Sequence, residues 1–150
     1  MPQFKLLKFY HAEILSVFFD AIDKSEYKWF KPHDFSNLMA YDICNSNGID
    51  AEDFYFGYFD ENKLIGYALL RTFNGKFETP SLGLYLLPKY RGKGYGKDII
   101  GRLISFATFL FDDIMLTVNK DNNIAIQLYE SCGFGRVKEI DNKYIYKREL

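Results

Sequence analysis

The sequence predicts one α/β domain over residues 1–150, a mixed sheet covered by helices in the order β-α-α-β-β-β-α-β-α-β-β. Three observations carry that expectation. In residues 81–111 an apolar strand, Leu82–Leu87, is stopped by Pro88. A basic glycine-rich turn (residues 91–97) follows, and then Ile99, Ile100, Leu103, Ile104, Ala107, Leu110 and Phe111 recur at helical spacing. Upstream, turn signals at Asp60-Glu61-Asn62-Lys63 and at Asn74-Gly75 separate apolar runs, which reads as an antiparallel meander. Downstream, a buried strand and a helix closed by Gly133 lead into a final hairpin. No repeat, linker or low-complexity segment divides the chain.

Taken in order, Phe4–Phe9 reads as a short first strand. Leu15, Phe18, Phe19 and Ile22 then stand at i, i+3, i+4 and i+7, so Ala12–Lys24 is an amphipathic helix. Ser25–Lys31 is a polar-aromatic connection. Pro32 and Asp34 open a second helix carrying Phe35, Leu38, Met39 and Ile43, and Asn47-Gly48 ends it. Asp53–Phe59 and Leu64–Phe73 are strands. Pro80 and Gly83 sit badly in a regular central strand, so the ladder there is expected to be irregular. Asp112-Asp113 breaks the long helix before the strand Ile114–Val118. Asn122–Cys132 is a helix with Ala125, Leu128, Tyr129 and Cys132 on one face, and Phe134–Ile140 pairs with Tyr144–Lys147 across Asp141-Asn142.

Composition excludes several classes of function. The chain has 19 basic and 20 acidic residues, so nothing favours a nucleic-acid or anionic-membrane partner, and the basic turn is a local feature. Two cysteines, Cys44 and Cys132, and two histidines, His11 and His33, make neither a disulfide framework nor a metal site. Cys132 lies beside a helix C-terminus and reads as packing. His33, just before a helix, reads as a cap or surface residue. Lys5, Lys8, His11 and Glu13 interrupt the N-terminus too often for a signal peptide, and no apolar run is long enough to span a bilayer. A soluble cytoplasmic protein is the expectation.

The turn Arg91-Gly92-Lys93-Gly94-Tyr95-Gly96-Lys97 aims free backbone N–H groups and the positive end of a helix dipole at one spot, which suits phosphate. Spacing separates the possible phosphate motifs. A P-loop needs Gly-x-x-x-x-Gly-Lys-Ser/Thr, but Gly96-Lys97 is followed by Asp98, and Arg91 stands where the first Gly belongs. A dinucleotide fingerprint needs Gly-x-Gly-x-x-Gly, and Gly92, Gly94 and Gly96 are spaced otherwise. The segment closely resembles the acetyl-CoA motif of the GNAT family of N-acetyltransferases, Arg/Gln-x-x-Gly-x-Gly/Ala after a strand ending in Pro, through Arg91, Gly94 and Gly96. A second block, Asn122-Asn123-Ile124-Ala125-Ile126-Gln127-Leu128-Tyr129-Glu130 with Gly133-Phe134, is similar to that family's Asn-x-x-Ala-x-x-Leu-Tyr-Glu and Gly-Phe. The resemblance covers residues 53–147.

It implies a GNAT-like, single-domain, mostly antiparallel sheet with helices on both faces and a fourth strand splayed from the fifth by a bulge. It further implies acetyl-CoA as co-substrate, no metal, and transfer of the acetyl group to a primary amine by direct attack. The amides of Gly92, Lys93, Gly94, Tyr95, Gly96 and Lys97 would hold the pyrophosphate, with charge from Arg91, Lys93 and Lys97. Leu84, Tyr85 and Leu86 would present backbone groups to the pantetheine arm and thioester, one N–H stabilising the oxyanion. Asn122 would touch the cofactor, cap its helix, or both. Tyr129 matches the position of a general acid for the departing thiolate, the plain alternative being a core aromatic.

The base is not legible. Where some relatives place a Glu on the fifth strand this chain has Thr117, and another common site falls at Pro80. Glu78 is a candidate, a water relay another. Glu26-Tyr27-Lys28-Trp29-Phe30, in the connection where relatives line the acceptor site, would suit a cationic amine with an apolar part, or could simply pack as a lid. Small amine, amino acid, peptide N-terminus and protein lysine all fit so far, and homodimers are common among such proteins. A different class of function, a non-catalytic acyl-CoA sensor or interaction module, draws support from Thr117.

Overall fold

In the computed structural model, which describes residues 1–47 and 52–150, seven strands form one sheet. They are β1 (Gln3–Leu6), β2 (Asp53–Asp60), β3 (Lys63–Arg71), β4 (Ser81–Leu86), β5 (Asp113–Asn119), β6 (Gly135–Ile140) and β7 (Lys143–Glu149), ordered β1-β2-β3-β4-β5-β7-β6. Every neighbouring pair is antiparallel except β4 and β5. The helices are α1 (Ala12–Ala21), α2 (Asn37–Ser46), α3 (Tyr95–Thr108) and α4 (Asn123–Ser131). Helices α1 and α2 cover one face, and α3 and α4 the other.

That sandwich explains why β3 reads as an almost unbroken apolar run: it is central and covered on both sides. Ala68 and Leu70 pack toward α3, while Tyr67 and Leu69 pack toward α1 and α2. Along α3, Ile99, Ile100, Leu103 and Ala107 are fully buried. Each of the three larger side chains contributes about 1.5–3 kcal/mol by leaving water. Gly101 lies on the exposed side of α3, and a Cβ there would meet nothing within 4 Å. Gly101→Ala should therefore stabilise the fold by about 0.5–1 kcal/mol, since Ala loses less backbone entropy in a helix. A higher urea midpoint at unchanged m-value checks this.

Several element limits differ from the sequence reading, each for a local reason. Strand β1 stops at Leu6 because the Lys8 N–H turns to His11 Nδ1 (2.8 Å), and Phe9 lies in an exposed helical turn. Helix α1 stops at Ala21, and Asp23 caps the next turn by accepting from the Ser25 N–H (2.9 Å). Helix α2 is opened by Ser36, whose Oγ accepts from the Met39 N–H (3.1 Å), rather than by Pro32 or Asp34. Asn47 ends α2 and also bonds Leu7 and Tyr55, tying β1 to β2, while Gly48 lies outside the described residues.

Asn74-Gly75 does make a turn at positive φ, but residues 72–80 form a long connection between β3 and β4 rather than a two-residue hairpin. The β3–β4 ladder is also regular, pairing Gly66–Arg71 with Leu86–Ser81 without a shift, because Pro80 falls just outside the strand. The irregularity lies on the other edge of β4, and no bulge in that ladder produces it.

Candidate active site

Strands β4 and β5 meet at a single parallel pair, Ser81 with Met115, where the Met115 N–H reaches the Pro80 carbonyl at 2.9 Å. Beyond it they diverge. The Leu87 N–H bonds the Ile65 carbonyl at 2.9 Å, so by the alternation of an antiparallel ladder Tyr85 turns its amide to β3. Leu84 and Leu86 then turn their N–H and C=O groups into the gap, where the Leu86 carbonyl accepts from Arg91 Nε. A strand edge left unpaired inside a cavity is a place for another extended chain to add.

The turn between β4 and α3 closes one end of that cavity. Gly92 (φ 79°) and Gly94 (φ 83°) are in the left-handed region that favours glycine, and a Cβ on either would meet nothing within 4 Å. Gly96 is close-packed instead: a Cβ there would stand 3.1 Å from Leu128 Cδ2 of α4. Asp98 N–H is the first in the helix with a backbone acceptor, Gly94 at 3.2 Å. Among the described residues, the six N–H groups of residues 92–97 have none. They surround the positive end of α3, which makes a preformed anion cradle.

Helix α4 forms the opposite wall. Asn122 caps it by accepting from the Ala125 N–H (3.4 Å), and Ala125, Leu128 and Tyr129 face the cavity. The Tyr129 ring packs edge-on to Phe134 with centroids 6.0 Å apart. Its hydroxyl has no hydrogen-bond partner among the described residues, and burial pushes its pKa up to about 12. The phenol is thus held protonated beside the gap.

The connection between α1 and α2 crosses the gap from the other side. Glu26 accepts from Arg91 Nη1 (2.7 Å) and Nη2 (3.2 Å) and from the Tyr85 hydroxyl (2.6 Å). Arg91 Nε also donates to the Leu86 carbonyl (2.9 Å), and its guanidinium lies 5.1 Å from the Tyr85 ring centroid. The Arg91 hydrogen bond holds the Glu26 carboxyl below the usual range although burial opposes it. Burial, followed by the bond to Glu26, pushes Tyr85 up to about 12. Phe30 lies over Gly83, where a Cβ would come within 3.4 Å of its ring.

Together these walls enclose about 510 Å³, a volume typical of a small-ligand site. It brings together Leu84, Tyr85, Leu86, Arg91, Gly92, Gly94, Gly96, Lys97, Asn122 and Tyr129 of the sequence-selected residues, and Thr117 with them. The side chains of Lys93 and Tyr95 do not line it: Lys93 is exposed, and Tyr95 packs against Tyr58 with ring centroids 5.7 Å apart. Glu78 is exposed on the connection 72–80, outside the lining. His33 is not a plain cap: its Nε2 meets the buried Tyr67 hydroxyl at 2.7 Å. Sequence reasoning missed Val118 and Ile124 of the lining, and above all the contact of Glu26 with Arg91. A carboxylate in an aromatic connection was visible, but its partner 65 positions away was not.

Comparison with known proteins gives a consistent result. The model of the acetyltransferase (GNAT) family matches residues 16–134. N-alpha-acetyltransferase RimI of Mycobacterium tuberculosis is 36% identical over 87 residues, covering 55% of this chain and 52% of that protein. Spermidine N(1)-acetyltransferase of Vibrio cholerae is 28% identical over 100 residues, covering 57% and 58%. The chain spans about half the length of these curated relatives. Among solved structures, the GNAT domain of S. lividans PAT superposes with a TM-score of 0.85 at 12% identity, covering 99% of this chain and 90% of that one. That likeness is one of fold.

Proposed function

This chain belongs to the acetyltransferase (GNAT) family, and on that premise we propose that it moves an acetyl group from acetyl-CoA to a primary amine by direct attack. The observation that carries the reading is the row of unpaired N–H groups at residues 92–97 standing next to the unpaired edge of β4. Coenzyme A needs both: a cradle for its pyrophosphate and a strand edge for the amides of its pantetheine arm.

Acetyl-CoA supplies an acyl group activated as a thioester. The chain's own residues do the rest. The amides of Gly92–Lys97 and the α3 dipole take the pyrophosphate, with Lys93 and Lys97 adding charge. Leu84 and Leu86 pair with the arm as a neighbouring strand would. The Leu84 N–H, fixed by the β4 ladder, donates to the carbonyl oxygen as negative charge builds there, an effect that needs a rigid dipole and no particular side chain. Asn122 caps α4 and so holds the wall that carries Tyr129 in place. The amine nitrogen bonds the thioester carbon, and the C–S bond breaks as Tyr129 Oη delivers its proton to the leaving sulfur. The second proton of the nitrogen returns through water to the tyrosinate. The acceptor ammonium loses its proton through water, since Glu78 is exposed and outside the cavity lining.

Two measurements test this. Calorimetry should show heat with coenzyme A and little with ATP or NAD at equal concentration. A screen of amines that follows free CoA thiol should then find at least one acceptor. Coenzyme A binding with no thiol release from any amine would favour the non-catalytic sensor, and no binding at all would overturn both readings.

A further inference from the structure

The connection between α1 and α2 is stitched to both banks of the β4–β5 gap. On one bank Glu26 takes the Arg91 fork and the Tyr85 hydroxyl. On the other, Trp29 Nε1 donates to Asp121 (3.2 Å) and Asn119 Nδ2 donates to the Lys28 carbonyl (3.0 Å). Glu26 is the one carboxylate among the described residues lining the cavity, and its side chain is only 16% exposed. Its partner Arg91 precedes Gly92 directly and lines the same cavity as Gly92, Gly94 and Gly96. A diphosphate on that turn carries more negative charge than one carboxylate and suits the same planar donor fork. Glu26 and the phosphate site therefore compete for one guanidinium.

We propose that Glu26 selects the acceptor, holding the ammonium of an amine that bears an apolar arm and no adjacent carboxylate, and that Arg91 withholds Glu26 until a diphosphate takes the guanidinium. The inference rests on the acetyltransferase reading of the site. With Arg91 turned to the phosphates, Glu26 keeps the Tyr85 hydroxyl and lines the same cavity as Trp29 and Phe30, so a cation would enter a wall that pairs a carboxylate with aromatic side chains. An amino acid would bring its own carboxylate against Glu26 and be rejected by like charge. Binding order follows as well: coenzyme first, amine second.

Trp29 is the only tryptophan of the chain, so its emission reports on this connection. Adding coenzyme A to the wild type should change that emission. Glu26→Gln should show the changed emission before any ligand is added and should bind coenzyme A about five-fold tighter by calorimetry, as loss of a competing ion pair requires. In thiol-release assays the wild type should favour phenethylamine and phenylalaninamide over phenylalanine at least about ten-fold in kcat/KM, a like-charge penalty that Glu26→Gln should erase. Glu26→Asp should keep the preference. Coenzyme A heat in both proteins with identical affinity and unmoved Trp29 emission would overturn the competition and leave the acetyltransferase reading intact. Equal use of amine and amino acid by the wild type would overturn the selection by Glu26. Absence of coenzyme A heat in the wild type would overturn that reading and this inference with it.

Discussion

Tyr129→Phe should lower kcat by about 10²- to 10³-fold, the usual worth of a positioned proton donor, and leave the affinity for coenzyme A unchanged. The substitution removes one atom from a ring packed against Phe134, and that atom makes no hydrogen bond to a described residue, so the fold should lose little. A thiolate that must leave without a proton carries the whole cost. The pH profile gives an independent check. Burial disfavours the phenolate, which raises the pKa to about 12. The donor is therefore present at every working pH and is lost only as pH passes that value. Wild-type kcat/KM should climb with pH as the acceptor ammonium loses its proton, with no fall on the alkaline side up to about pH 10. The variant should trace the same rise at a lower level. Thiol release at wild-type rates by the variant would remove Tyr129 from the chemistry and leave it a core aromatic.

What the chain's one-dimensional order reveals depends on how local each constraint is. Turn chemistry and periodicity are local, so the strand, glycine turn and helix that follow Ser81 were visible, as was the α4 face of Ala125, Leu128 and Tyr129. The periodicity runs the α3 helix on to Phe111, however, and it stops at Thr108. Gly92, Gly94 and Gly96 could be seen as a group, but not their separate reasons: positive φ at the first two, contact with Leu128 at the third. Helix limits failed where a side chain diverts the backbone, as Asp23 and Ser36 do, since several residues nearby could have capped equally well. Asn74-Gly75 shows that a good turn dipeptide does not fix where strands begin, because Thr72, Phe73 and Phe77 extend that turn into a loop. The gap between β4 and β5 is a property of two strands paired once, and no residue in either announces it. The Trp29–Asp121 bond joins positions 92 apart, and only the folded chain brings them together.

Gly94→Val should cost about two orders of magnitude in coenzyme A affinity, more than either lysine charge removed from the same turn. At φ 83° a β-branched residue is strained by about 1–3 kcal/mol, and the turn must either bear that strain or rotate its amides away. If the turn holds its shape, the new methyls stand in open space where Gly94 lines the cavity, because nothing in the protein lies within 4 Å of that Cβ. Either way the amides lose the diphosphate. Lys97→Met makes the contrast. Lys97 lines the cavity, yet a solvated ammonium there contributes about 1 kcal/mol at most, and salt should remove most of it. Calorimetry at low and high salt separates the two contributions. Backbone N–H hydrogen bonds to the phosphates keep more of the affinity in salt than solvated lysines do, and Gly94→Val damages binding at both salt levels. If Lys97→Met were instead the more harmful change, and wild-type binding vanished in salt, simple charge attraction would be holding the phosphates. The six unpaired amides would then be only the ordinary frayed start of a helix.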